Sequence, residues 1–224
     1  MNKFSCVIFD IDGTLTQTND LIFDTFNHVT EKYLRQSFTP AEIIAMFGPP
    51  EEVAIERLVG ADQGTAAMAD FIAYYDHQFP IKAEAYEGIK EVVQQLHERG
   101  IKLAVFTGKG RSTTLITLDK IGIGECFDIV VTGSDVTNHK PSSEGIRKIL
   151  DFLNVLPGNA LMVGDAVSDI KAAHEAGVAV AAVLWDSYGK EKIMDMKVDY
   201  LFHSVQEFAR WINDQIPGNG AIAR

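Results

Sequence analysis

Two carboxylates stand two residues apart in Asp10-Ile11-Asp12-Gly13-Thr14-Leu15, directly after an apolar run. Side chains two apart in an extended segment share a direction. Like charges that close need a cation or a shared proton between them. A second pair, Asp165 and Asp169, lies in Gly164-Asp165-Ala166-Val167-Ser168-Asp169, again after an apolar run. Carboxylates at such a junction suit a hard divalent metal. Asp169 alone fits equally well as an acid favoured by a helix dipole. Thr107-Gly108-Lys109-Gly110 offers a hydroxyl and free amides at a helix start, groups that hold phosphate oxygens. Thr-Gly is also a common turn. Asn138-His139-Lys140-Pro141 adds a lysine that can neutralise phosphate or a neighbouring carboxylate, or simply be solvated. Asp10 and Asp12, taken alone, also fit an acidic turn in which Gly13 permits a sharp reversal.

These residues must be held by whatever precedes them, and each group follows a β-rich run. Strands are predicted over residues 4–9, 102–107, 129–132, 160–164, 178–184 and 198–202. Their near-continuous apolar character suits strands buried on both faces of a parallel sheet. Helical stripes alternate with them: Ile89, Val92, Val93 and Leu96; Ile146, Ile149, Leu150 and Leu153; Val205, Phe208, Trp211 and Ile212. This alternation predicts an α/β, doubly wound, Rossmann-like and mostly parallel sheet. Ligands of such sheets bind at the carboxyl ends of the strands, where all four groups fall.

Residues 17–82 break the rhythm and show no strand. Ile22, Phe26, Val29 and Tyr33 form one helical stripe, and Met68, Phe71, Ile72, Tyr75 and Phe79 another. A shorter helix carrying Val53 and Leu58 starts after Pro49-Pro50, where proline suits a first turn. The expected organisation is an α/β core of residues 1–16 and 83–224 with an inserted helical subdomain of residues 17–82. Gly48-Pro49-Pro50 is a stiff turn able to present a fixed surface to a ligand. Glu51 and Glu52 read as a solvated first-turn pair, His139 as a polar loop residue or a substrate contact, and Trp185 as a packing residue or part of the mouth of the site. Pro217-Gly218-Asn219-Gly220 reads as a frayed end.

Composition narrows the partners. A formal net charge of -11 disfavours nucleic acid and anionic membrane. No run approaches the ~20 apolar residues of a membrane span, and the first residues do not read as a signal peptide. A cytoplasmic protein with a small-molecule substrate is expected. The two cysteines, Cys6 and Cys126, have no metal-ligand spacing and read as reduced, buried, structural residues.

The ordered set Asp-x-Asp-Gly-Thr, then Thr, then Lys-Pro, then Gly-Asp-x-x-x-Asp resembles the haloacid dehalogenase-like superfamily, over residues 4 to about 185. The inserted segment resembles that superfamily's small helical cap. Thr18-Asn19, Gly48-Pro49-Pro50 and Val183-Leu184-Trp185 look most like the branch of phosphoglycolate phosphatases and pyrophosphatases. The resemblance implies Mg²⁺ held by the Asp10 carboxylate, the Asp12 backbone carbonyl and the Asp165 carboxylate. It makes Asp10 the nucleophile that forms an aspartyl-phosphate, and Asp12 the acid and then the base. Thr107 and the Gly108 amide would bind phosphate, Lys140 would orient Asp10, and Asp169 would support the site through water or Lys140. The substrate implied is a small phosphorylated metabolite such as phosphoglycolate, with pyrophosphate or a sugar phosphate as rivals. Asp12 argues against dehalogenases, which lack it. Residues 45–56 contain no lysine for a Schiff base and the cap loop no arginine for a second phosphate, although Arg57 is nearby. Lys140-Pro141-Ser142-Ser143 departs from the family's frequent Lys-Pro-x-Pro.

Overall fold

A computed structural model describes residues 2–216; the tail read as frayed, residues 217–220, lies outside them. Six strands form a parallel sheet in the order β5-β4-β1-β6-β7-β8: β1 (Cys6–Phe9), β4 (Lys102–Phe106), β5 (Ile129–Val131), β6 (Ala160–Gly164), β7 (Ala179–Val183) and β8 (Tyr200–Phe202). Every predicted strand is present, β6 at its full predicted length and the others shortened at one or both ends. Alternation sends Val7, Phe9, Leu103, Val105, Leu161 and Val163 to one face, and Cys6, Ile8, Ala104, Phe106, Ala160 and Met162 to the other. The first face is covered by α5 (Ile89–Glu98), α6 (Arg111–Ile121) and α10 (Val205–Gln215), the second by α7 (Glu144–Leu153) and α8 (Val167–Ala176). The short α9 (Lys190–Met194) lies between β7 and β8. A sheet covered on both faces is why the strand sequences read as continuous apolar runs.

Between β1 and α5 the chain makes four helices: α1 (Asn19–Leu34), α2 (Pro40–Ile44), α3 (Glu51–Val59) and α4 (Ala61–Lys82). The predicted stripes are their packing faces. Phe26 meets Phe71 edge-on at 5.2 Å, and Ala67, Phe71, Tyr75 and Phe79 of α4 are buried. One expectation needs correcting. Gln17 is not part of the helical segment: β2 (Thr16–Gln17) pairs antiparallel with β3 (Glu84–Ala85), with Thr16 opposite Ala85 and Gln17 opposite Glu84. This two-strand ribbon closes the base of the insertion. Two residues per strand are too few to show a period, so the pattern could not reveal it.

The insertion also rests on the core. The Tyr75 hydroxyl lies 2.9 Å from Thr117 Oγ1 of α6, inside a buried face that includes Thr113 and Thr114. Both cysteines are free. Cys6 is fully buried, and burial pushes its thiol up to about 12. Cys126 is only half-buried, contrary to expectation, because the apolar run around it forms a turn before the edge strand β5.

Candidate active site

β1 ends at Phe9, and the Asp10 amide still donates to Val163 O on the neighbouring strand, at 2.9 Å. The chain then reverses: the amides of Thr14, Leu15 and Thr16 all converge on Ile11 O. Gly13 takes φ +78°, and a Cβ there would lie 2.4 Å from the Asp165 carboxylate. Both the backbone conformation and the space therefore require glycine. The turn places Thr14 Oγ1 3.2 Å from Asp165 Oδ1, tying the end of β1 to the end of β6.

Asp10, Asp165 and Asp169 converge. One carboxylate oxygen from each lies within 4.8 Å of the other two, and all three residues are buried. Lys140 Nζ is the cation among them, 2.6 Å from Asp169 Oδ1 and 3.1 Å from Asp10 Oδ1. Asp169 thus meets Lys140 directly, and its other oxygen accepts from the Ala166 amide at 3.0 Å at the start of α8. Asp10 Oδ1 receives no well-directed hydrogen bond. Lys140 also lies over the Phe106 ring, 4.7 Å from its centroid.

The electrostatics follow from burial. Desolvation pushes the Asp10 carboxyl up to about 6; Lys140 opposes this, while Asp169 and Asp12 reinforce it. Asp165 is raised well above the usual carboxylate range by burial and then by Asp10 and Asp169. Burial lowers Lys140, but Asp10 and Asp169 outweigh it and raise it. Three buried carboxylates facing one lysine leave an excess of negative charge. An all-oxygen donor set with such an excess fits a hard divalent cation.

Thr107 follows β4 and is buried, its amide bonded to Val131 O at 3.1 Å and its Oγ1 accepting from the Lys109 amide at 3.2 Å. Thr107, Gly108, Lys140, Asp10, Asp12 and Asp165 all line one cavity of about 650 Å³. Its opposite wall comes from the insertion: Ile22, Phe26, Ile44, Met46, Phe47, Gly48 and Pro49. Pro50 does not line it. Asp12 stands apart from the acidic cluster. Its Oδ1 accepts from Thr18 Oγ1 at 2.5 Å, and its Oδ2 lies 3.3 Å from Lys109 Nζ.

Sequence reasoning missed two residues here. Glu51 is not solvated: it is buried, accepts from the Gly110 amide and from Thr113 Oγ1 at 2.8 Å, and lies 3.4 Å from Lys109 Nζ. Lys109 has no role of its own in the Thr107-Gly108-Lys109-Gly110 motif as the sequence presents it, yet it is buried between Asp12, Glu51 and Tyr75. The only local signal was a lysine inside the Thr-Gly motif; its partners come from distant positions. Trp185 packs on Tyr86 and Phe208, as expected. His139 Nδ1 is buried without a hydrogen bond and does not line the cavity.

Comparison with known proteins agrees with this geometry. Residues 7–183 match the family described as haloacid dehalogenase-like hydrolase. The chain is 34% identical to pyrophosphatase PpaX of Halalkalibacterium halodurans over 206 residues, 92% of this chain and 95% of that one. Its fold is that of a haloacid dehalogenase-like family hydrolase from Streptococcus pneumoniae (TM-score 0.74, 23% identity, covering 94% of this chain and 99% of that one). It is also that of a predicted phosphoglycolate phosphatase from Haemophilus somnus (TM-score 0.79, 22% identity, covering 94% and 99%). The six-strand parallel sheet, the convergence of four motifs at its carboxyl edge and the match over most of the length lead to one conclusion: the chain belongs to the haloacid dehalogenase-like hydrolases and is a phosphatase of that family.

Proposed function

We propose that this phosphatase is a Mg²⁺-dependent phosphomonoesterase acting on a small phosphorylated metabolite through an aspartyl-phosphate on Asp10. The observation that carries the reading is the buried cluster of Asp10, Asp165 and Asp169 around Lys140, opening into a cavity lined by Thr107 and Gly108. The Asp10 and Asp165 carboxylates with the Asp12 backbone carbonyl would hold Mg²⁺. Bound there, the ion supplies charge neutralisation for the transferring phosphoryl group. Asp10 attacks phosphorus while the bond to the leaving oxygen breaks, and Asp12 gives that oxygen a proton. Asp12 then takes a proton from the water that attacks the phosphoryl-enzyme, so phosphate leaves and Asp10 is regenerated. Lys140, fixed by Asp169, aims Asp10; Thr107 and the Gly108 amide hold phosphate oxygens.

The insertion wall bears on the substrate. Among the described residues, no arginine or lysine of α1–α4 lines the cavity, and Arg57 is exposed in the last turn of α3. The insertion gives a second phosphate no cationic grip, and the lysines that line the cavity, Lys109, Lys140 and Lys192, all belong to the core; this favours a monoester such as phosphoglycolate over a phosphomutase substrate gripped by the insertion. Pyrophosphate is the rival, on the strength of the similarity to PpaX. The net charge and the cavity together favour a small cytoplasmic metabolite over nucleic acid or lipid.

Turnover of a panel of phosphorylated metabolites is expected with Mg²⁺ and to vanish in excess EDTA; full turnover in EDTA rejects the metal assignment. Gly48 and Pro49 face the cavity, so Pro49→Ala is expected to change kcat/KM by different factors across the panel. Pro50→Ala, at a residue that does not line the cavity, is expected to change it less. One common factor for every ester would make the loop structural.

The raised carboxyls set a pH dependence. A carboxyl whose folded pKa lies above its unfolded value binds its proton more tightly when folded. The metal-free protein therefore gains stability on this account as pH falls through about 6. Mg²⁺ must displace the same protons. The rise in Tm on adding Mg²⁺ is expected to be largest near pH 8 (roughly) and to shrink below about 6. An equal rise on both sides of that range would place the metal on other ligands.

A further inference from the structure

Gly110, which follows Thr107-Gly108-Lys109, is the N-cap of helix α6, and no side chain of its own caps it. Helix N-termini leave unsatisfied amides that attract a carboxylate. Here the carboxylate comes from another segment. Glu51, the first residue of α3, accepts from the Gly110 amide and from Thr113 Oγ1. A Cβ on Gly110 would lie 2.4 Å from Glu52 Oε2 and 2.6 Å from Glu51 Oε2, so the glycine makes room for this borrowed cap. Glu52 adds a second contact, accepting from Ser134 Oγ.

The same carboxylate reaches the chemistry through one side chain. Lys109 Nζ lies 3.4 Å from Glu51 Oε1 and 3.3 Å from Asp12 Oδ2, and its side chain is 1% exposed. Its ammonium also lies 4.5 Å from the centroid of the Tyr75 ring on α4. A buried ammonium without partners is strongly disfavoured. Its position therefore depends on α3 and α4 being seated. Lys140, by contrast, is held wholly within the core by Asp10 and Asp169. The site thus holds two buried lysines with separate duties, one on the nucleophile and one on the proton carrier.

We propose that Lys109 is a positioning residue that links the inserted helices to Asp12: Glu51 seats α3 on the α6 N-terminus and holds Lys109, which holds the Asp12 carboxylate for proton transfer. This rests on the phosphomonoesterase reading above. Lys109 stabilises the carboxylate that remains when Asp12 gives its proton to the leaving oxygen. With Thr18 on Oδ1 and Lys109 on Oδ2, the group is fixed from both sides. When α3 lifts, Lys109 loses Glu51, and Asp12 loses its fixed orientation. Proton transfer is then confined to the closed, water-excluding arrangement.

The prediction is a loss that depends on the leaving group. Release of alcohol is measured in single turnovers with Mg²⁺ for an alkyl phosphate, which needs a proton donor, and for p-nitrophenyl phosphate, which does not. Lys109→Met and Glu51→Ala are each expected to slow the alkyl ester by about 10- to 100-fold more than the aryl ester, within the range of general-acid catalysis. Glu51→Gln keeps one acceptor oxygen for the Gly110 amide but none for Lys109, so it is expected to show the same ester-selective loss as Glu51→Ala while leaving α3 seated. The double variant is expected to lose no more than Lys109→Met alone, because Glu51 acts through Lys109. Equal slowing of both esters, or independent losses that multiply, overturns the proposal. If Lys109→Met does not fold, Glu51→Ala decides alone by the same ratio of esters. A wild-type protein that turns over neither ester with Mg²⁺ overturns the phosphomonoesterase reading, and this proposal with it. An active wild type with no ester-selective loss in the variants overturns this proposal only.

Discussion

Asp10→Asn is expected to lower turnover by about 10⁴-fold or more and to abolish any phosphoryl-enzyme. The amide is nearly isosteric, so the cavity and the Lys140 contact distance persist, but the nucleophilic oxygen is gone. The fold should not suffer. Burial pushes the Asp10 carboxyl up to about 6, so above that pH the native state carries a desolvated charge beside Asp169 and Asp12. Removing the charge relieves that repulsion. Metal-free Asp10→Asn is therefore expected to melt no lower than the wild type near pH 8 (roughly), where the carboxyl would be ionised. The change should also weaken the Mg²⁺-dependent rise in Tm, since one carboxylate ligand is lost. Mass spectrometry after incubation with p-nitrophenyl phosphate reads the covalent species. A phosphorylated Asp10→Asn protein would place the nucleophile elsewhere.

Asp12→Asn separates the two chemical steps. It is expected to lower steady-state turnover by about 10²- to 10⁴-fold, the usual contribution of a positioned acid and base. The nucleophile and its lysine are untouched, because Lys140 contacts Asp10 and Asp169 but not Asp12. An aryl phosphate with a good leaving group needs no proton donor, so it should still phosphorylate Asp10. Hydrolysis of that species needs the base and should stall. The expected signature is a burst of p-nitrophenol equal to the enzyme, followed by a slow phase, with phosphorylated protein accumulating. Wild-type rates for this variant on an alkyl ester would remove Asp12 from the proton path.

Both predictions rest on residues that the linear sequence singled out. Asp10, Asp12, Thr107, Lys140, Asp165 and Asp169 each follow an apolar run that became a strand of one parallel sheet. In that topology every strand ends at the same edge, so residues placed just after a strand converge there. Lys140 is reached only through the turn Gly133–Asp135 and the loop that follows β5. The helical insertion was legible because the stripes of α1 and α4 repeat at helical spacing over enough turns to be read.

Only the tertiary structure decided what the insertion does to the site. Glu51 follows Pro50 at the start of a helix, where an acid is favoured by the dipole whether it is solvated or buried. Its burial depends on α3 landing on the uncapped N-terminus of α6, a contact across 59 residues. Lys109 sits in a motif that reads equally as a turn, and its partners Asp12, Glu51 and Tyr75 come from three separate segments. The β2–β3 ribbon is likewise invisible until residues near 16 and 85 are brought side by side. Sequence pattern reports the element a residue belongs to and the end at which it lies. Which charges meet in the interior depends on how separate elements pack, and no local period records that.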